Sequence, residues 1–303
     1  MKRGKVSDRS QEAAIRAVVA YFDLFGYAAS SSQIHTFLSV RLSIKECEAR
    51  LHSLVRKGVL ETSDVQLGKH MPPESIYAMG GHSIFMKRRI VRKAQTEKKI
   101  NKLKTYSKIL SLSPWIRLVG ISGSCSMENA KAADDVDFFI ITAENRLWLA
   151  RAWAITSAKL LCVHRSRKDR RVSGKACLNM FFDEQDVCVP AFKQNLYTAH
   201  EVVQMHCLDM REGAYYHRLF LQSNRWISSY FPNIRVPKMA KDISVHSVNE
   251  TLILGILGDL LEHIAKVVQK SIMSGHITHE TITNTQLWFF PKDFSKKIVK
   301  KVY

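Results

Sequence analysis

The stretch Ser122–Thr142, SGSCSMENAKAADDVDFFIIT, decides how the middle of the chain folds. It sets Gly123 between two serines, runs through a short polar spacer, and enters an apolar run at Asp135 and Asp137. VDFFIIT has the apolar continuity of a buried strand, and WIRLVGIS upstream of Gly123 reads the same way. Residues i and i+2 of a strand share a face, so Asp135 and Asp137 point one way at the strand's mouth. Two carboxylates that close repel, and one takes up a proton unless a cation lies between them. A partner for the pair is therefore expected.

Magnesium (or manganese) would meet that need. It prefers hard oxygen ligands and bridges to substrate phosphates. The turn at Ser122, Gly123 and Ser124 offers backbone N–H groups and hydroxyls to an anion, with no Cβ at Gly123 to block approach. The plainer reading of AADDVDFF is a solvated turn with Asp134 and Asp135 exposed.

A strand, Gly-Ser, a short spacer and Asp-x-Asp entering the next strand resembles the nucleotidyltransferase superfamily, of DNA-polymerase-beta-like fold. Here the pattern is Ile121-Ser122-Gly123-Ser124, then ten residues, then Asp135-Val136-Asp137-Phe138. It covers residues 115–145 directly and 115–190 by order of elements. The helix with Arg146, Trp148 and Arg151, the Leu178-Asn179 strand, and the YTAHEVVQM and NRW stretches look like an uncharacterised prokaryotic nucleotidyltransferase-domain family. The resemblance implies a mixed sheet with flanking helices, Asp135 and Asp137 as catalytic metal ligands, and Ser122, Gly123 and Ser124 as the nucleoside triphosphate site. It also implies transfer of a nucleoside monophosphate to an acceptor that the sequence does not identify.

The family places a third acid on a later strand, here ACLNMFFDEQD. Alternation puts Cys177, Asn179, Phe181 and Asp183 on one face, with Asn179 where the acid is expected. An amide oxygen can ligate magnesium but cannot act as a base. Asp183 lies about 13 Å further along an extended strand. Glu201, on the following helix, is a second possible acid and reads more simply as a surface or capping carboxylate. Two functions remain open: an active transferase, with Asn179 in the catalytic set, or a degenerate nucleotide-binding regulator.

The chain of 303 residues carries a net charge of +19. Residues 1–110 hold 21 Lys and Arg against 9 Asp and Glu, so +12 of that charge belongs to the front third. Such a bias favours an anionic partner, DNA or RNA among them. Helical spacing over 11–27, a serine-capped short helix, a Ser43/Glu46 capping box and two strands after Gly58 give winged-helix order. LHSLVRKGVL resembles the third helix and first wing strand of such domains, over roughly residues 10–80. Lys45, Arg50 and His52 are its candidate base-reading groups; a protein-docking wing is the alternative.

MKRRIVRKAQTEKKINKLK contains nine basic residues and one acidic one, Glu97. It predicts one long helix over 83–112 with a buried stripe of Ile84, Val91, Ile100 and Leu103, and with Arg88, Arg89, Arg92 and Lys93 facing phosphates or solvent. A second basic run, Arg165 to Lys175, either engages triphosphate or is a solvated loop. The expected organisation is a winged-helix-like domain at 10–82, a connecting helix at 83–113, a transferase core at 114–195 and a helical region at 196–303, an α+β protein. Six scattered cysteines without C-x-x-C spacing fit a reduced cytoplasmic setting. TLILGILGDLLEHIAKVV is too short and too charged to span a bilayer, so no membrane partner is expected.

Overall fold

The computed structural model describes residues 7–68, 72–166, 169–208, 213–238, 252–274 and 280–289. It is a mixed α and β structure with two sheets. The first module runs α1 (Asp8–Asp23), β1 (Ala29–Ser30), α2 (Ser31–Thr36), α3 (Ile44–Arg56), β2 (Leu60–Val65) and β3 (Glu74–Met79). Its antiparallel sheet has the order β1-β3-β2. Reciprocal capping boxes start α2 at Ser30/Gln33 and α3 at Ser43/Glu46. Each satisfies backbone donors that a helix start otherwise leaves open. Ile15, Val19, Phe22, Ile34, Leu51 and Leu54 form the core of this module.

The long helix expected over 83–112 breaks at Leu103 into α4 (Ile84–Lys102) and α5 (Lys104–Ser111). Only the later half of the expected apolar stripe is buried: Leu103 lies in the core and Ile100 packs against it. Ile84 and Val91 are exposed, whereas Met86, Arg89, Thr96 and Lys99 are buried. The cations find acceptors on that side. Arg89 and Lys93 pair with Glu128, and Arg92 bonds Phe25 O and Asn129 Oδ1 at 2.8 and 2.7 Å. Lys99 Nζ donates to Ala132 O at 2.9 Å and Asp134 O at 2.6 Å. A buried cation is tolerable when its donors are met, and here the loop 128–134 supplies acceptors to each of these side chains, with Arg89 Nε left without one among the described residues. α4 thereby ties the first module to the aspartate loop.

The second sheet begins with β4 (Ile116–Ser122), the single turn α6 (Gly123–Ser126), β5 (Val136–Thr142), α7 (Leu147–Leu160) and β6 (Ala176–Asp183). It continues through α8 (Leu196–Gln204), β7 (His206–Cys207), α9 (Gly213–Ser223), α10 (Ile227–Tyr230), α11 (Leu252–Ser274), β8 (Thr281–Ile282) and β9 (Gln286–Trp288). The strand order is β7-β4-β5-β6-β9-β8, parallel only between β5 and β6. The region after 195, expected to be helical, thus adds three strands to the central sheet. Ala191–Lys193 is one 3-10 turn. Phe138, Ile140 and Phe181 pack beneath Tyr106 and Trp148 on one face. Phe139, Ile141 and Phe182 pack on the other, in a cluster continuous with the first module through Tyr216, Phe220 and Phe231. Among the described residues no helix is long and apolar enough to cross a membrane.

Candidate active site

Ser122 ends β4 opposite Asp137 on β5. The chain then turns at Gly123 with φ +62°, a conformation that disfavours side chains. A Cβ there would lie 2.7 Å from Asp137 Oδ2, so the turn closes over that carboxylate only with glycine. Ser122 is buried. Ser124 Oγ donates to Asp134 Oδ2 at 3.2 Å, and the Lys131 N–H donates to the same oxygen at 2.8 Å. Asp134 therefore closes the loop, which leaves Asp135 and Asp137 to face the site.

β6 contributes through an irregularity. Asp137 pairs with Cys177 and Phe138 with Leu178, but Phe139 pairs with Met180, so Asn179 is the extra residue of a β-bulge. Asn179 Nδ2 donates to Asp137 Oδ1 at 2.8 Å. Its Oδ1 is buried without a hydrogen-bond partner among the described residues. Beyond the bulge the alternation reverses, and Asp183 pairs with Thr142 on the face away from Asp137. The expectation that Asp183 shares a face with Cys177 is corrected by this one residue. Asp183 instead accepts the Asn145 and Gln185 N–H groups at 2.7 and 3.0 Å.

Arg165 reaches in from the segment before β6. Its Nε lies 2.8 Å from Asp135 Oδ2 in an ion pair that lacks hydrogen-bond alignment. Its Nη1 donates to Cys177 Sγ at 3.1 Å. Lys175 pairs with Asp169, Arg170 and Arg171 are exposed, and Arg167 and Lys168 lie outside the described residues.

α8 brings a third acid. The half-buried Glu201 carboxyl is pushed up to about 7, first by burial and then by the charge of Asp137; the Gly123 N–H and Tyr197 hydroxyl act the other way. Asp137 is also pushed up to about 7, by burial and then by Asp135. Glu201 is therefore neither a cap nor a free surface carboxylate. Its one sequence signal was its place on the helix after the expected third-acid strand. Lys99, which holds the aspartate loop from behind, gave no signal within its basic run.

Ligand atoms of Asp135, Asp137 and Cys177 all lie within 4.8 Å of one another. Burial and the two aspartates raise the Cys177 thiol's pKa, so it stays protonated. The hard donors in that group are the two carboxylates. Such a carboxylate pair, with one member strained by like charge, could hold a metal cation.

Of the six suggested nucleic-acid contacts, Arg88 and Lys45 are exposed. Arg89 is 3 % exposed. Arg92 and Lys93 are half-buried in the contacts described above, and Arg50 is tied to Asp8 and Gln11. Comparison with protein-family models, curated proteins and solved structures finds no match for this chain.

Proposed function

We propose that this chain is a metal-dependent nucleotidyltransferase built on a polymerase-beta-like core, with a winged-helix module in front. The observation that carries the reading is the close Asp135 and Asp137 pair at the mouth of β5, under the Gly123 turn and beside an unpaired Asn179 oxygen, with Glu201 bonded to the Gly123 N–H. A magnesium or manganese ion held by Asp135, Asp137 and the Asn179 amide oxygen would supply positive charge against a triphosphate. Gly123, without a Cβ, lets the turn lie directly against the Asp137 carboxylate. Arg165 can exchange its contact with Asp135 for one with the triphosphate, as a guanidinium suits phosphate geometry.

In the step proposed, an acceptor hydroxyl oxygen forms a bond to the α-phosphorus of a nucleoside triphosphate. The bond from that phosphorus to the bridging oxygen breaks, and pyrophosphate leaves. Glu201 takes the hydroxyl proton; a carboxyl held near 7 is matched to that work at neutral pH. This assigns to Glu201 the base that Asn179 cannot be. Incubating the full chain with magnesium, labelled nucleoside triphosphates and cell extract tests the reading. Label should enter an acceptor with release of pyrophosphate, and none should enter with Asp135→Asn/Asp137→Asn. Equal labelling by that variant would move the site elsewhere.

Asn179 in the acid's place favours a second reading, a nucleotide-binding regulator. Lys45, His52 and Arg56 line the exposed side of α3 and would meet nucleic acid. Salt-dependent DNA or RNA binding by the full chain, without nucleotide turnover, would favour it over the enzyme.

A further inference from the structure

We infer that the exposed cations beside the aspartate loop form a track for a single-stranded polynucleotide, whose terminal hydroxyl is the acceptor at the candidate site. This rests on the transferase reading and names the substrate class which that reading leaves open. Three segments meet at the mouth of β5: the second half of α4, the aspartate loop 131–134, and the loop 169–175 that leads into β6. Hydrogen bonds knit them together. The Gly174 N–H donates to Asp134 O at 3.0 Å, and the Val136 N–H donates to Lys175 O at 2.9 Å. Ser173 Oγ donates to Ala132 O at 2.5 Å and accepts from Lys99 Nζ at 3.3 Å. A Cβ at Gly174 would lie 3.5 Å from Lys102 Cδ, so that lysine runs along the same loop.

Those contacts use the backbone, Ser173 and Lys99, and leave the other cations of all three segments in solvent. Lys98 and Lys102 stand one turn apart on α4, Lys131 lies on the aspartate loop, and Arg170 and Arg171 precede β6; all five are exposed. None of them has an ion-pair partner among the described residues. The nearby acids are already engaged: Asp169 by Lys175, Glu97 by Lys93, and Asp134 by Ser124 Oγ and the Lys131 N–H. Such a concentration of one charge draws an anion. A triphosphate is too short to meet cations on three segments, and Arg165, 2.8 Å from Asp135, already stands where it would bind. A folded protein partner would want an apolar centre. None of the exposed large apolar side chains belongs to these segments. A polynucleotide asks only for cations along its phosphates. It also ends in a hydroxyl of the kind the proposed step consumes: that oxygen bonds to the α-phosphorus, pyrophosphate leaves, and Glu201 takes the proton.

Fluorescence anisotropy of labelled single-stranded RNA and DNA oligonucleotides with the full chain, in EDTA and without nucleotide, tests the track apart from any turnover. Affinity should fall with a log–log salt slope of about −3 or steeper. Lys98→Ser/Lys102→Ser/Arg170→Ser/Arg171→Ser should flatten that slope by about 2–3 and weaken low-salt binding at least tenfold, with the melting temperature held. Lys45→Ser/His52→Ser/Arg56→Ser, on α3, should change neither. With magnesium and labelled nucleoside triphosphates, label should enter oligonucleotides that end in a free 3′ hydroxyl and not those that end in a 3′ phosphate. Binding that ignores salt, binding undiminished in the four-residue variant, loss only in the α3 variant, or displacement by poly-glutamate of equal charge would overturn the track. Label entering an extract acceptor but never the oligonucleotide would overturn the acceptor assignment and leave the transferase reading standing. Salt-dependent binding through those four residues with no label in any acceptor would overturn the transferase reading and, with it, the acceptor role.

Discussion

Asp137 and Asp183 stand at opposite ends of the parallel pair β5 and β6, and burial pushes both carboxyls up. Their surroundings differ. Asp183, 2 % exposed, accepts two backbone N–H groups and fixes the turn into α7. Asp137 accepts the Asn179 amide and the Cys177 thiol, and lies in the opposing fields of Asp135 and Arg165, with its own charge felt by Glu201. Burial alone therefore does not mark a working acid. Asp137 differs in having like charge beside it, eased only in part by Arg165, and a bound cation or a proton would relieve it further.

The largest effect that would break this contrast is on turnover. Asp137→Asn should reduce nucleotide transfer to background while leaving the melting temperature unchanged or raised, since a repulsion is removed. Steady-state rates alongside thermal unfolding check this, and a rate near wild type would equate the two aspartates. Glu201→Gln should lower kcat by about 10²–10⁴, the usual share of a general base. The triphosphate KM should move little, and the acid limb of the pH–rate profile should disappear. A loss in KM alone would make Glu201 a binding group.

Asp183→Asn should behave in the opposite way. It should cost about 1–3 kcal/mol in urea unfolding, because an amide hydrogen then faces backbone donors. kcat per folded molecule should hold. The smallest expected effect is on stability against pH without metal. Asp137 sits at about 7 against 3.8, and Glu201 at about 7 against 4.5. Between those values the native state keeps protons that the unfolded chain has released, so stability falls as pH rises. Their contribution is full below about pH 4 and is lost through pH 7. The wild-type curve minus that of Asp137→Asn/Glu201→Gln should slope downward over that window, and an upward slope would mean both carboxyls titrate low.

The same contrast separates what was legible in the sequence from what was not. Gly123, Asp135 and Asp137 were readable because a turn that excludes a Cβ and a two-residue spacing are local properties. The Ser43/Glu46 box was readable for the same reason. Asp183 was placed on the wrong face because one bulged residue at Asn179 reverses alternation, and nothing in ACLNMFFDEQD announces a bulge. On α4 the apolar side was expected to turn inward. Glu128, Asn129 and the carbonyls of Ala132 and Asp134 made the cationic side the buried one. Those acceptors lie more than thirty residues away in the chain, beyond the reach of helical periodicity. β7, β8 and β9 are only two or three residues long, and their pairing with distant strands outweighs any local pattern.

Calorimetric titration of manganese or magnesium into the full chain, then of a nucleoside triphosphate with and without the ion, tests the central claim most directly. Wild type and Asp183→Asn should bind the ion, and the triphosphate should bind tightly only in its presence. Asp137→Asn should bind neither well. Equal ion binding by Asp137→Asn and wild type, or triphosphate affinity unchanged in EDTA, would contradict a metal centre at the mouth of β5.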